Sequence, residues 1–282
     1  GGSIATGYLF PFTAHNEENS ESWAVFGEVS RQISDQLNVG VGLRYYEDDR
    51  EYRSATSGPF QQDTFDSVNP KLFASYAIND DINLYANVAK GFRSGGFNGA
   101  GEPPFGPEEV LSYEIGSKAV LLDGTLNAEI ALYQSSYDDY QIIGVIPELG
   151  LNITSNAGEA TIQGIDLSLT WRPYDRVELG VNGNYLDTEF DKINSTTTSH
   201  NAGDPLDLVL RHSFTLWSKF DFVWFDGSEG FARIDYNQQG KSYYRNRSFG
   251  DDYLSTSDII DLMNARIGWV QDQWSIELYA EN

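Results

Sequence analysis

The chain has 282 residues, of which 18 are Lys or Arg and 42 are Asp or Glu, giving a formal net charge of −24. So acidic a protein lacks the basic surface with which nucleic-acid binders displace counterions, and no nucleic-acid partner is expected. The absence of cysteine excludes disulfides, thiolate metal sites and cysteine nucleophiles. No run approaches the roughly 18 apolar residues of a membrane-spanning helix. A membrane β-barrel stays compatible with the mean hydropathy of −0.41, because its apolar residues alternate with polar ones.

A two-residue period runs through much of the chain. In segment 36–46 the odd positions are apolar and most even ones are polar or glycine, and 177–185 and 274–280 alternate in a similar way. This period is typical of strands with one apolar face, and no comparable stretch repeats apolar residues at helical spacing. About twelve strands are predicted, near 22–33, 36–53, 63–78, 81–95, 109–121, 125–143, 157–171, 176–190, 207–222, 230–245, 259–270 and 273–282.

Short and long connections alternate between these strands. The short ones carry turn residues, at Ser34-Asp35, Asn79-Asp80-Asp81, Asp123-Gly124, Pro173-Tyr174-Asp175, Asp226-Gly227 and Gln271-Asp272. The long ones are rich in Gly, Ser, Thr, Asn and Pro and fall near 54–62, 96–108, 144–156, 191–206 and 246–258. An up-and-down meander then has all short turns at one end and all long loops at the other, as bacterial outer-membrane barrels do.

Aromatic residues on the apolar parity form two bands. The band near the long loops contains Trp23, Tyr45, Phe92, Tyr113 and Tyr185, and the band near the short turns contains Tyr76, Trp171, Phe220, Trp269 and Trp274. Such bands are expected where amphipathic rings lie at the two interfaces of a membrane. The opposite parity carries charged residues such as Glu28, Lys71, Glu114 and Asp166, which cannot form a dry core. The sequence therefore predicts an all-β, antiparallel, up-and-down transmembrane β-barrel with a wet or plugged interior.

Four segments resemble the barrel of TonB-dependent outer-membrane receptors, and they occur in that family's order. They are Asn69-Pro70-Lys71, YANVAKGFRSGGFN from Tyr85 to Asn98, SYEIGSK from Ser112 to Lys118, and NAGEATIQGID from Asn156 to Asp166. The resemblance implies a 22-stranded barrel closed by an N-terminal plug. It also implies a multi-pass protein of the bacterial outer membrane that imports iron–siderophore complexes, haem, cobalamin or another scarce nutrient, powered through TonB.

The sequence differs from this family in what it lacks. It contains no plug domain, no TonB-binding box and no terminal aromatic residue marking a last strand, and it begins Gly1-Gly2 with Met263 as its single methionine. Its final segment, WSIELYAEN, is similar to the family's penultimate strand. We therefore expect residues 1–282 to be part of the barrel domain, at about strands ten to twenty-one of the larger barrel.

Ligands of this family lie at the extracellular side, on loops and plug apices. Seven residues are therefore expected to line a ligand vestibule, namely Arg93, Phe97 and Phe105 at the second long loop and Tyr243, Tyr244, Arg245 and Arg247 at the fifth. Guanidinium groups suit carboxylate or catecholate oxygens, and aromatic rings stack on planar ligands. The alternative for each residue is an ordinary role in packing the loop or the rim.

Acidic runs at 47–49, 138–139 and 251–252 lack the spaced ligands and glycine of an EF-hand loop. We expect solvated surfaces there, or contact with the phosphates of lipopolysaccharide bridged by divalent ions, rather than a dedicated metal site. Outer-membrane lipid and lipopolysaccharide are accordingly expected partners, beside TonB and the small ligand.

Catalytic patterns are weak. His212 and Ser213 are neighbours, but strand alternation puts them on opposite faces, so they do not form part of a triad. Gly40-Val41-Gly42 lies inside a strand with no helix after it, unlike a dinucleotide-binding loop. The expected protein is a receptor and transporter that is neither an enzyme nor dependent on a cofactor. Two alternatives stay open: a self-contained pore or membrane enzyme of about twelve strands, and a soluble acidic carbohydrate-binding β-domain.

Overall fold

The computed structural model describes residues 16–54, 60–99, 102–146, 151–156, 158–194, 200–224, 227–246 and 253–282. Within these ranges the chain forms sixteen strands: β1 (Asn16–Gln32), β2 (Leu37–Ser54), β3 (Gln61–Ala77), β4 (Ile82–Arg93), β5 (Glu108–Leu121), β6 (Leu126–Asp138), β7 (Gln141–Ile146), β8 (Leu151–Asn156), β9 (Gly158–Tyr174), β10 (Val177–Ile193), β11 (His212–Val223), β12 (Glu229–Gln239), β13 (Tyr243–Asn246), β14 (Tyr253–Thr256), β15 (Ile260–Gln271) and β16 (Trp274–Ala280).

Twelve of these strands form one antiparallel sheet. Its order is β1-β2-β3-β4-β5-β6-β9-β10-β11-β12-β15-β16, so β1 and β16 lie at its two edges. The pairs β7–β8 and β13–β14 form two separate hairpins inside long connections. The predicted antiparallel up-and-down meander is confirmed, with every short turn at one end and every long connection at the other. Among the residues placed here, no helix is long and apolar enough to cross a membrane.

The two hairpins explain most differences from the predicted strands. Segment 125–143 is not one strand, because Asp139 takes a positive φ of 54° after β6 and redirects the chain into β7. Segment 230–245 is likewise divided, since β12 ends at Gln239 and the chain continues into the separate strand β13. The strand predicted from residue 207 begins at His212, because the residues before it pack over the end of β10.

Register keeps one face of the sheet apolar and the other polar. Directly opposed residues share a face, and the opposed pairs Val41↔Leu72 and Ile115↔Leu132 are apolar. Seven members of the two aromatic bands are exposed on the apolar face, namely Trp23, Tyr76, Tyr113, Trp171, Tyr185, Phe220 and Trp274. Phe92 departs from this pattern, because it is half-buried with its ring 6.0 Å from the ring of Tyr46, a residue of the polar parity.

Aromatic rings on the polar face lie over glycines of the neighbouring strand. In each case ring and glycine are directly opposed in register, and a Cβ on the glycine would overlap the ring: Gly40 and Phe73, Gly116 and Tyr85, Gly164 and Tyr133, Gly180 and Trp217, Gly268 and Phe231. The ring covers backbone that glycine leaves bare, which fixes the register of the two strands. Glycines inside these strands therefore serve close packing, as the sequence suggests.

Candidate functional site

The connection between β4 and β5 is clamped by one buried carboxylate at the long-loop end of the sheet. Glu108 is 7% exposed, and its Oε2 accepts hydrogen bonds from Arg93 Nη2 and from the backbone N–H of Gln141, both at 2.6 Å. The Gln141 side chain donates to the carbonyls of Ser94 and Gly106, each at 2.9 Å. Arg93 is therefore held in place while more than half of its side chain stays exposed.

Phe97 and Phe105 lie further along this connection and pack within it. The backbone of Phe105 pairs with Gly96 through two hydrogen bonds of 3.0 Å, and its ring lies against that glycine. Phe97 is half-buried, with its ring 6.4 Å from the buried ring of Tyr52. Asn98 ties the loop to β8 through two hydrogen bonds of 2.8 Å with the backbone of Thr154.

A pocket of about 400 Å³ opens beside Arg93 on the polar face of the sheet. The β3–β4 ladder stops at the pair Lys71↔Ala89, and the next residue of β3 is Pro70, which has no N–H to donate. Above this point the structure shows β3 paired with β2 and β4 paired with β5. The pocket lies in the resulting gap and is lined by Arg44, Tyr46, Arg50, Asn69, Gly91, Phe92, Arg93 and Ser94.

Asp48 forms a second buried anchor beside this pocket, on the long-loop side of the aromatic band. Its carboxylate accepts hydrogen bonds from Ser20 Oγ at 2.6 Å and from Arg50 Nε at 2.8 Å. Burial by itself raises the pKa of Asp48, but the hydrogen bonds from Ser20, Arg50 and Ser94 outweigh it and hold the pKa below its ordinary value. The carboxylate thus stays charged and keeps Arg50 beside the pocket.

The residues expected at the fifth long loop lie on the second hairpin. Tyr244 is 44% exposed, whereas Arg245 has only 19% of its side chain exposed and its Nε lies 2.8 Å from an oxygen of Asp204. The backbone carbonyl of Tyr243 accepts a 2.7 Å hydrogen bond from Leu208. Arg247 lies outside the described residues. Arg245 and Tyr243 therefore hold the hairpin against the 200–211 segment.

A small apolar cluster joins the two groups of expected residues. Ile142, Ala160, Phe190 and Leu206 are buried together, with Tyr140 packed against them. The β7–β8 hairpin contacts the Arg93 loop on one side of this cluster, and the 200–211 segment contacts the second hairpin on the other. The six expected residues that the structure describes thus belong to one loop assembly, and they lie at two separate parts of it.

The pocket contains residues that sequence reasoning did not select as site residues. Arg44, Tyr46 and Arg50 all lie at even positions of β2, the polar parity of that strand. Following the even positions of β2 as far as Arg50 would have put these three side chains on one face. Their approach to Arg93 follows from the gap above Pro70, which no local pattern reveals.

His212 and Ser213 of β11 do not form part of a hydrolytic catalytic group. His212 lies opposite Tyr185 and Ser213 lies opposite Asn184, so the two neighbours face opposite sides, as alternation predicts. The Ser213 hydroxyl donates to the Asn184 side-chain oxygen at 2.9 Å. In chemical terms the loop assembly presents guanidinium groups and aromatic rings, which suit binding of an anionic or planar ligand.

Long antiparallel strands with one apolar and one polar face, and packed loops at one end, define the wall of a membrane β-barrel. Comparison with known families agrees with this class. Residues 2–282 match the family described as TonB dependent receptor-like, beta-barrel, and the chain belongs to that family. The resemblance inferred from the sequence is confirmed.

Similar proteins include receptors that are named for what they bind. The pesticin receptor of Yersinia pestis is 27% identical over 277 residues, which cover 93% of this chain and 39% of that protein. The metal-pseudopaline receptor CntO of Pseudomonas aeruginosa is 26% identical over 229 residues, covering 78% of this chain and 31% of that protein. The chain thus spans less than two fifths of the length of these relatives.

Solved structures show the same fold. The ferric yersiniabactin uptake receptor FyuA from Yersinia pestis matches with a TM-score of 0.79 at 22% identity, over 95% of this chain and 41% of that one. The siderophore receptor PiuA from Acinetobacter baumannii matches with a TM-score of 0.75 at 17% identity, over 94% of this chain and 39% of that one. In a barrel of this family the apolar face is the outward one and the polar face lines the lumen.

Proposed function

We propose that the protein containing this chain is a receptor and transporter of the bacterial outer membrane, which uses TonB to take up a scarce nutrient. The nutrient that we propose first is an iron–siderophore complex. The family match over residues 2–282 carries this proposal. The names of similar proteins, which include a metal-pseudopaline receptor and a probable TonB-dependent siderophore receptor, favour a metal chelate as cargo. This function is transport and not catalysis.

Residues 1–282 would then supply the larger part of a barrel domain. The sheet has two edge strands, β1 and β16, at opposite ends of its order. Lipid cannot satisfy an open edge by hydrogen bonding, so these edges require further strands of the same barrel. That requirement disfavours the self-contained pore or membrane enzyme, which would need β1 and β16 to pair with each other. The family match in turn disfavours the soluble carbohydrate-binding domain.

Two roles separate among the seven proposed ligand residues. Arg93 and Tyr244 keep about half of the side chain exposed and are free to meet a ligand in the vestibule. Phe97, Phe105, Tyr243 and Arg245 support the loops that carry them, and a ligand would contact their outer edges. Arg247 directly follows β13 in the sequence and belongs to the same proposal.

The remaining partners follow from position in the membrane. The apolar face between the two aromatic bands would contact lipid. Glu47 and Asp138 lie just beyond the band near the long loops and would approach lipopolysaccharide phosphates through divalent cations. TonB would act from the periplasm through a plug domain outside residues 1–282.

Uptake of radioactive iron from purified ferric siderophores tests the function. The complete gene is expressed in an iron-starved strain that lacks its own siderophore receptors, with and without TonB. Uptake of at least one ferric siderophore that requires both the gene and TonB is expected. Uptake that persists without TonB would instead indicate a passive pore and refute the proposal.

Arg93→Gln provides the matching site test, with Arg172→Gln as control because Arg172 pairs with Glu178 near the short turns, away from the loops. Arg93→Gln should lower uptake and raise the apparent dissociation constant, since Gln cannot supply the charged fork. Equal effects of the two substitutions would argue against a ligand role for Arg93.

A further inference from the structure

Three of the chain's few cationic side chains lie around one opening, in the gap above Pro70. Arg44, Arg50 and Arg93 all line the same pocket, although Lys and Arg number 18 against 42 Asp and Glu in the whole chain. Among the described residues that line it there is no carboxylate. A concentration of positive charge in so acidic a protein selects for a negatively charged occupant.

Two buried carboxylates that accompany these arginines lie behind the pocket wall, whereas the exposed Glu18 lies 3.8 Å from Arg50 Nη1 and outside the lining. Asp48 is fully buried beside Arg50, and Glu108 is 7% exposed beside Arg93. Each of these carboxylates also accepts hydrogen bonds from other groups, Ser20 for Asp48 and the Gln141 backbone for Glu108. They fix the arginines from behind. Arg50 donates to Asp48 through Nε, and Arg93 donates to Glu108 and to the Gln141 carbonyl through Nη2, so each arginine keeps another guanidinium nitrogen for a ligand.

Arg44 has a different environment from the other two arginines. It is exposed, its guanidinium carbon lies 5.5 Å from the centre of the Tyr46 ring, and no ion pair of Arg44 occurs within the described ranges. Stacking on Tyr46 orients the planar guanidinium without using its N–H donors. Those donors are available to an incoming group.

We infer that the Arg44–Arg50–Arg93 pocket binds an anionic oxygen group, a carboxylate or a phosphate, carried by the ligand that the receptor imports. This inference rests on the proposed function and adds the ligand chemistry recognised at the lumen wall. A guanidinium presents two parallel N–H donors that match two oxygens of either group. The rings of Tyr46 and Phe92, 6.0 Å apart, supply an apolar side for the carbon skeleton that bears it.

Direct binding of simple anions to the purified complete receptor tests this inference without depending on transport. Tricarballylate and inorganic phosphate are titrated separately by calorimetry, in low salt and in the same detergent. Binding of at least one probe is expected, and the probe that binds more tightly identifies the group as carboxylate or phosphate. Failure of both probes to bind would overturn the inference.

Arg44→Gln and Arg44→Lys are the diagnostic variants. Because Arg44 is exposed and lies outside the buried anchors, both variants should fold. Arg44→Gln should weaken binding roughly tenfold or more, and Arg44→Lys should restore part of it through its charge alone. The matched control is Arg233→Gln, because the Arg233 guanidinium also stacks on a lumen-side ring, 4.7 Å from the centre of Trp217, at a distance from the pocket along the sheet.

The two proposals fail in different ways. Weaker anion binding in Arg44→Gln but not in Arg233→Gln supports the inference even if no ferric siderophore is taken up, in which case the transport proposal alone fails. Equal loss in both variants would show that the effect comes from the general charge of the lumen, and would overturn the inference. A lower thermal stability of Arg44→Gln with unchanged anion binding would assign Arg44 a structural contact and also overturn it.

Discussion

Replacing Phe190 by alanine tests whether the loop assembly is held together by its small apolar cluster. Phe190 is 1% exposed, and its ring lies 5.6 Å from the ring of Tyr140 and 4.8 Å from that of His200. Its backbone exchanges hydrogen bonds with the 200–211 segment, through Asp204 at 2.9 Å and Gly203 at 2.8 Å. Removing the ring leaves a cavity in the middle of a cluster that has few other buried members.

The expected cost follows from comparable substitutions. A buried phenylalanine replaced by alanine costs about 3–5 kcal/mol, the sum of the lost transfer free energy and the cavity. The 200–211 segment should bear this cost as local opening, because the barrel strands keep their own hydrogen-bond ladders. At about 1.4 kcal/mol per factor of ten, even the lower value corresponds to a loss of protection against hydrogen exchange of roughly 100-fold.

Hydrogen exchange followed by mass spectrometry on the purified receptor measures this opening segment by segment. Peptides from 200–211 and from the β7–β8 hairpin should exchange faster in Phe190→Ala, while peptides from β5 stay unchanged. Phe220→Ala is the matched control, because Phe220 is 49% exposed in the aromatic band near the short turns and does not touch the cluster. Unchanged exchange at 200–211 in Phe190→Ala would refute the view that this cluster secures the loops.

Three further substitutions test the two faces, the glycine contacts and the buried carboxylate. Ile130→Arg, on the lipid-facing side, should destabilise the folded receptor by about 2–4 kcal/mol, whereas Ala131→Arg, on the lumen side, should cost much less; equal losses of thermal stability would contradict the face assignment. Gly180→Val should cost about 1–3 kcal/mol by displacing the indole packed on it and changing tryptophan fluorescence, while Gly27→Val, which has nothing within 4 Å of the added Cβ, should be nearly neutral. Asp48→Asn should weaken the neighbouring loop by about 1–3 kcal/mol. The folded-state pKa of the Asp48 carboxyl is lowered, so its contribution to stability is complete above the ordinary pKa of about 3.9 and is lost as the pH falls through the lowered pKa. The difference in hydrogen exchange between wild type and variant should therefore disappear in acid.

Alternation made the strands predictable. The segment 36–46 separates apolar from polar positions by counting in twos, and the register confirms that both faces continue from strand to strand. Face assignment needs only local sequence, because every second residue of a strand points the same way. The two hairpins were missed because 141–146 and 243–246 have strand-like composition themselves, and only a change of direction at the preceding residues divides them from the main sheet.

The candidate site was less predictable for a related reason. Arg93 could be selected because it extends a recognisable strand into a long loop, but its neighbours in the pocket come from β2, some 40 to 50 positions earlier in the chain. Likewise, Arg245 resembles an exposed ligand residue in sequence, and its ion pair with Asp204 depends on how two loops pack. Contacts between loops are non-local, and no period in one segment encodes them.

The glycine contacts provide a criterion for deciding which lumen-side aromatic residues are available to a ligand. Phe73, Tyr85 and Trp217 each face a glycine directly across the ladder, so their rings are already committed to covering backbone. Tyr46 faces Ala24 on one side and Ser67 on the other, and neither leaves bare backbone for the ring to cover. Its ring turns instead towards the gap above the β3–β4 ladder, where it meets Phe92 and Arg44. Because the strands do not require the ring there, its position favours a role for Tyr46 in the pocket over a role in holding the barrel together.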